Sequence, residues 1–168
     1  FTWDRNEWWN HISALENYDR PEIAAEELPA DAYRDDVAAN LAVAERWVTE
    51  HSDTEFDFFL PPYSILFWDR YGRLGEEDAY FDAIAQVCET LLPYENVRLY
   101  GFLMDGEIVE DLDNYCDYIH HSGGVCREIS QRAALDGFHD DEGDAQFFRQ
   151  RVAPVARDLL GAVVGVEV

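Results

Sequence analysis

Apolar residues recur at three- and four-residue steps through Tyr33, Val37, Leu41, Ala44 and Val48, with polar and charged positions between them. That period buries one stripe of an α-helix and leaves the rest wet. It predicts an amphipathic helix over 31–51, with Asp31 placed to cap its first turn. A second stripe, Tyr80, Phe81, Ile84, Val87, Cys88 and Leu91, predicts a helix over 76–92 that Pro93 stops. The pattern changes between the two. Residues 56–60 form a short aromatic run that ends at Pro61-Pro62, as a buried strand does when the chain must leave a sheet. Residues 97–103, Val-Arg-Leu-Tyr-Gly-Phe-Leu, predict a second strand, followed by a polar turn at Asp105-Gly106.

The rest of the chain fills in around these elements. The opening, with Trp3, Trp8, Trp9 and His11 among polar residues, predicts a loop and a short helix that pin aromatic rings onto the core. Residues 63–71 predict a helical turn over the sheet edge. Residues 122–135 predict a helix capped by Ser122 and stopped by Gly137, and 145–160 a last one. Helices alternating with strands are the pattern of an α/β fold with a parallel sheet and helices on its faces. No internal repeat is present, and 168 residues suit a single domain over 1–168. Two strands make a small sheet. Further strands are therefore expected beyond these residues or in another subunit. A start without Met, directly on Phe1-Thr2-Trp3, likewise leads us to expect a piece of a longer protein.

Charge narrows the function. Acidic residues number 36 against 12 basic ones, every basic one is Arg, and the formal net charge is −24. Such a field repels phosphate backbones and anionic lipid, so nucleic-acid binding and membrane docking are not expected. Two accounts of the acidity stay open: a surface suited to a high-salt or GC-rich source organism, and specific cation binding. No run approaches the roughly 20 apolar residues of a membrane-spanning helix.

The candidate chemistry centres on Asp-x-x-His, a spacing that lets a carboxylate orient an imidazole as a general base. It occurs twice. Asp117/His120 follows the second strand, whose carboxyl end is where open α/β sheets place ligand sites. Asp136/His139 falls at a helix end among Asp140, Asp141 and Glu142 and reads as a solvated cap. The competing reading of His120 is a structural histidine held by Asp117. None of the five serines, Ser13, Ser52, Ser64, Ser122 and Ser130, lies in a Gly-x-Ser-x-Gly elbow or a Gly-Asp-Ser turn. Ser64 follows the first strand and, with Tyr63, is expected at the cleft as a substrate contact.

Three other groupings carry alternatives. Glu110, Asp111, Asp113, Asp117, His120 and His121 suit Ca²⁺ or Zn²⁺ by donor type, but a calcium loop's glycine and terminal glutamate and a His-x-x-x-His helix are missing. Local turn hydrogen bonds from Asp113 and Asn114 are therefore the expectation, with no metal or cofactor. Trp3, Trp8, Trp9, Tyr63, Phe67 and Trp68 either line a carbohydrate or acyl groove or pack in the core. Cys116 and Cys126 flank the Asp117/His120 segment and admit either a bridge or free buried thiols, while Cys88 leaves the count odd.

Three stretches carry a family resemblance: Phe58-Phe59-Leu60-Pro61-Pro62-Tyr63-Ser64 with Trp68 nearby, Asn96-Val97-Arg98-Leu99-Tyr100-Gly101-Phe102, and Asp111-Leu112-Asp113-Asn114-Tyr115-Cys116-Asp117-Tyr118-Ile119-His120. In order and spacing they resemble the C-terminal half of SGNH/GDSL-like hydrolases, above all a bacterial cell-envelope subgroup whose members are usually membrane-anchored. The resemblance runs from about Phe1 to Leu160, with Pro-Pro-Tyr-Ser and Asn-Tyr-x-Asp-x-x-His as its specific pieces. It implies a three-layer α/β/α, flavodoxin-like fold, of which this chain is the C-terminal part. It also implies an extracytoplasmic setting and a serine acyl-enzyme route on O-acyl groups of an envelope glycan, by hydrolysis or transfer. Asp117 and His120 stand at the family's catalytic Asp and His. The serine, and the Gly and Asn of the oxyanion hole, belong to earlier segments with no counterpart here, so the chain alone is expected to be inactive. The alternative is a non-catalytic binding or structural α/β domain of an envelope protein.

Overall fold

Two five-residue strands, β1 (Phe56–Leu60) and β2 (Val97–Gly101), pair in parallel in the computed structural model, which describes residues 7–135. The register sets Phe56 against Val97 and Leu60 against Gly101. A parallel pair needs a crossover. Here α3 (Ile65–Leu74) and α4 (Glu77–Leu91) supply it. β1 ends where two prolines in succession remove the N–H donors a ladder requires. β2 is two residues shorter than expected: Phe102 and Leu103 leave the ladder yet stay buried, and the Phe102 N–H still donates to the Leu60 carbonyl at 3.0 Å.

The helices follow their stripes, with corrections at the ends. α1 (His11–Glu16) is capped by Asn10, whose side-chain oxygen accepts from the Ser13 N–H at 2.9 Å. α2 (Arg34–Glu50) starts after Asp31, with Tyr33 at the cap position and no side-chain cap. Asp31 contributes its main-chain carbonyl instead, accepting from the Arg34 N–H at 3.0 Å, while Asp35 and Asp36 place negative charge on the first turn. The turn expected at Asp105-Gly106 is a four-residue helix, α5 (Gly106–Val109), followed by a 3-10 turn at Leu112–Asn114. α6 (Gly123–Leu135) begins behind Ser122, whose hydroxyl accepts from the Val125 N–H at 3.4 Å. The expected helix at 145–160, the Asp136/His139 pair and Trp3 lie outside the described residues.

α3 ends at Gly75, whose φ of 67° is left-handed backbone that side chains resist. A Cβ there would also stand 2.9 Å from the Glu27 Cα, because the 24–28 segment runs alongside, with the Leu28 N–H donating to the Gly75 carbonyl at 2.7 Å.

Strand alternation divides the core. Phe56, Phe58 and Val97 pack with Leu41 and Val48 of α2 and Leu91 of α4. Tyr100 goes the other way, toward Ile108 of α5, Tyr115, and Val125 and Ile129 of α6. Leu60 joins Phe67 and Trp68 of α3 and Phe81, Ile84 and Cys88 of α4, where Trp68 stacks on Phe81 at 5.6 Å. Each such large side chain, taken fully out of water, stabilises the fold by about 1.5–3 kcal/mol. One charge sits among them. Asp69 of α3 is buried and accepts from Arg20 through two nitrogens (2.8 and 2.9 Å) and from the Tyr18 hydroxyl (2.7 Å), with Arg73 beside it. Burial works against ionising this carboxyl, and the bonds from Arg20 and Tyr18 outweigh it and hold its pKa below the usual value. No helix among the described residues is long and apolar enough to cross a membrane.

Candidate functional site

The loops after both strands meet beyond the carboxyl ends of β1 and β2. The Tyr115 hydroxyl, fully buried, donates to the Pro62 carbonyl at 2.7 Å, and the Ser64 hydroxyl donates to the Tyr118 carbonyl at 2.9 Å. Residues 115–121 close on themselves between these anchors. Tyr115 and His121 form an antiparallel bridge, the Cys116 N–H donates to the His120 carbonyl at 3.2 Å, and the Ser122 N–H to the Asn114 carbonyl at 2.8 Å. Tyr118 docks the outside of the loop, its ring tilted against Tyr18 and lying under the Arg70 guanidinium at 5.4 Å.

Asp117 organises the interior of this loop. Its Oδ1 accepts from the main-chain N–H groups of Ile119 (2.8 Å) and His120 (2.7 Å), and its Oδ2 lies 2.7 Å from the His120 Nδ1. Burial pushes the Asp117 carboxyl up, but the His120 and Ile119 N–H groups and the His120 ring outweigh this and leave its pKa below the ordinary value. An ionised carboxylate can only accept. The His120 Nδ1 must therefore carry the hydrogen, and in the neutral ring the lone pair then lies on Nε2. The His120 side chain is 68 % exposed against 25 % for Asp117, and no described residue hydrogen-bonds Nε2. A ring so held presents a basic nitrogen to solvent, with its tautomer set from behind.

His121 faces elsewhere. It is half-buried, burial lowers its pKa, and its Nδ1 lies 3.6 Å from the Cys126 Sγ on α6.

The other candidates separate from this pair. Ser64 lies beneath the site rather than in it: its exposure is 0 % and its hydroxyl is spent on Tyr118. Tyr63, half-buried, stacks on Phe67 at 4.3 Å, with burial raising its phenol pKa. Phe67 and Trp68 are core, which removes them from any groove, whereas Trp8 is exposed. Among the described residues, no three His, Cys, Asp or Glu side chains converge as a metal site. The acidic cluster is dispersed by separate hydrogen bonds. Asp111 accepts from the Asp113 N–H at 3.0 Å, Asp113 accepts from the N–H and Nδ1 of His11 (2.9 and 2.6 Å), and Asn114 donates to the Ile108 carbonyl. Cys88, Cys116 and Cys126 form no disulfide with one another, so the bridge considered between Cys116 and Cys126 is absent; of the three only Cys88 is buried, and Cys126 is exposed.

Sequence reasoning missed the His11–Asp113 pair, which fastens α1 onto the 3-10 turn. The two residues are 102 positions apart, and no local pattern links them. It also missed His121 and Cys126 as partners, although their spacing of five admits a contact where a loop enters a helix. Comparison with protein-family models, curated proteins and solved structures finds no match to this chain.

Proposed function

We propose that this chain carries the acid–base half of an SGNH-like serine esterase or acyltransferase acting on O-acyl groups of an envelope glycan. The nucleophile comes from a segment other than the described residues. In this reading His120 Nε2 takes the serine proton, Asp117 holds the tautomer and stabilises the imidazolium, and the same ring returns the proton to the leaving alkoxide. The observation that carries it is the Asp117–His120 pair: Nδ1 tied at 2.7 Å to a carboxylate, Nε2 unengaged among the described residues, and the ring in solvent beyond the carboxyl ends of two parallel strands. Helices packed against both sides of the strands support the finer fold assignment, a three-layer α/β/α arrangement of which this chain is a part.

The test is turnover of a chromogenic acyl ester by the protein carrying its nucleophile segment. His120→Ala is expected to reduce it to background with an unchanged circular dichroism spectrum, and Asp117→Asn to lower it by about 10⁴-fold through loss of the tautomer. Unchanged turnover in His120→Ala rejects the proposal. A second reading, a non-catalytic binding domain, draws on the two main-chain bonds that give Asp117 a structural task of its own. It expects glycan binding that survives His120→Ala and no esterase activity in any context.

A further inference from the structure

α6 runs across the face of the sheet that α2 leaves bare. Against that face lies a cleft of about 440 Å³ whose lining includes Asp57 and Phe59 of β1, Arg98 and Tyr100 of β2 and Ile129 of α6. Phe59 is 53 % exposed there, while Tyr100 of β2 is buried with Val125 and Ile129 of α6. Cys126 and His121 line the same cleft, with Sγ and Nδ1 at 3.6 Å.

Cys88, in the core with Phe81 and Ile84, is buried. Cys126 instead is exposed, has an imidazole nitrogen at 3.6 Å, and opens onto a cleft of mixed lining in which Phe59 offers apolar surface beside Asp57 and Arg98. Nucleophile, base and a place for an apolar group therefore coincide. The proposal for this pair does not rest on the esterase reading, although His121 follows His120 directly in the chain.

We propose that Cys126, with His121 as its base, is a nucleophilic thiol that accepts an acyl group of short apolar chain from a thioester, the chain lying along Phe59 and Ile129. The Sγ proton passes to the His121 Nδ1 as the sulfur lone pair forms the new C–S bond at the thioester carbonyl. The tetrahedral adduct expels the donor's thiolate, which recovers the proton from His121. The products are S-acyl-Cys126 and a free thiol, with no redox change. Burial, by lowering the His121 pKa, keeps the ring neutral and able to accept near neutral pH.

The experiment incubates the full chain with hexanoyl and acetyl thioesters of N-acetylcysteamine near neutral pH and maps the acylated cysteine by mass spectrometry. The expected result is acylation of Cys126 ahead of Cys116, slowed about 10²-fold in His121→Phe. His121→Asn, a second variant that keeps a polar side chain there, is expected to show the same loss. Phe59→Asp, with its folding verified by circular dichroism, is expected to slow the hexanoyl donor while sparing the acetyl donor. Acylation of Cys126 no faster than Cys116, equal rates with and without the His121 imidazole, or no chain-length effect at Phe59 each overturns the proposal.

Discussion

The Ser64 hydroxyl donates to the main-chain carbonyl of Tyr118 at 2.9 Å across 54 residues of sequence, from the N-terminus of α3 to the loop that carries Asp117 and His120. The bond makes Ser64 a fastener of the candidate site. Ser64→Ala leaves a carbonyl without its donor and is expected to cost about 1–2 kcal/mol. A shifted urea midpoint with an unchanged slope checks it. On the esterase proposal, turnover is expected to fall only modestly, because Ser64 supports the loop from beneath.

Asp117→Ala removes an acceptor for two main-chain N–H groups and for the His120 ring at once. The expected cost is about 1–3 kcal/mol. Asp117→Asn keeps one acceptor oxygen for the main chain and costs less, but frees the ring tautomer. Nitrogen-15 spectra of His120 should show protonated Nδ1 in the natural chain and a tautomer mixture in Asp117→Asn. An equal mixture in both removes the argument for a pre-oriented base.

Removing the Asp69 side chain strands Arg20, Arg73 and the Tyr18 hydroxyl around a polar void under α3. Asp69→Ala is expected to cost about 3–5 kcal/mol, because a buried charge pair is strongly missed when one member goes. Chemical denaturation followed by circular dichroism measures it.

Acid acts on this fold in two stages. His121 has a lowered pKa in the folded state, so the unfolded chain binds more protons between that pKa and about 6.5. Its contribution is whole above about 6.5 and fades as pH falls toward the lowered pKa. Asp69 and Asp117 are also lowered, and theirs is whole above about 4 and lost below it. Thermal midpoints should therefore decline first on leaving neutrality and again in strong acid. His121→Phe is expected to remove only the first decline.

Gly75→Ala forces a side chain into left-handed backbone and against the main chain of Glu26 and Glu27. The backbone strain alone costs roughly 1–2 kcal/mol. The 24–28 segment should lose amide protection first, as hydrogen exchange would show.

The long elements were legible because their signals repeat. Tyr33 to Val48 and Tyr80 to Leu91 each sustain an apolar stripe over several turns, and Pro61-Pro62 marks a strand end by chemistry alone. α5 was not legible, since four residues complete barely one turn and leave no period to read. The start of α2 was misplaced because a turn through Asp31 to Tyr33 precedes it, satisfying the Arg34 N–H through a carbonyl rather than a side chain. At the site, Asp117 and His120 were visible because a loop closes over three residues. The fastening role of Ser64, expected instead as a substrate contact, and the pairs made by His11 and Asp69 were not, because their partners are 54, 102 and about 50 positions away and depend on how the layers settle. Pro-Pro-Tyr-Ser announces a turn without saying which of its side chains faces inward.

β1 and β2 have no further strand beside them among the described residues, so each offers an outer row of amide and carbonyl groups, with Phe59 adding a greasy flank. Such borders invite strand-to-strand clumping. At a net charge of −24, mutual repulsion keeps approaching copies apart while salt is dilute, and it shortens to a few ångströms' reach as salt becomes molar. Association of this chain is therefore expected to be held off in dilute salt and favoured in concentrated salt.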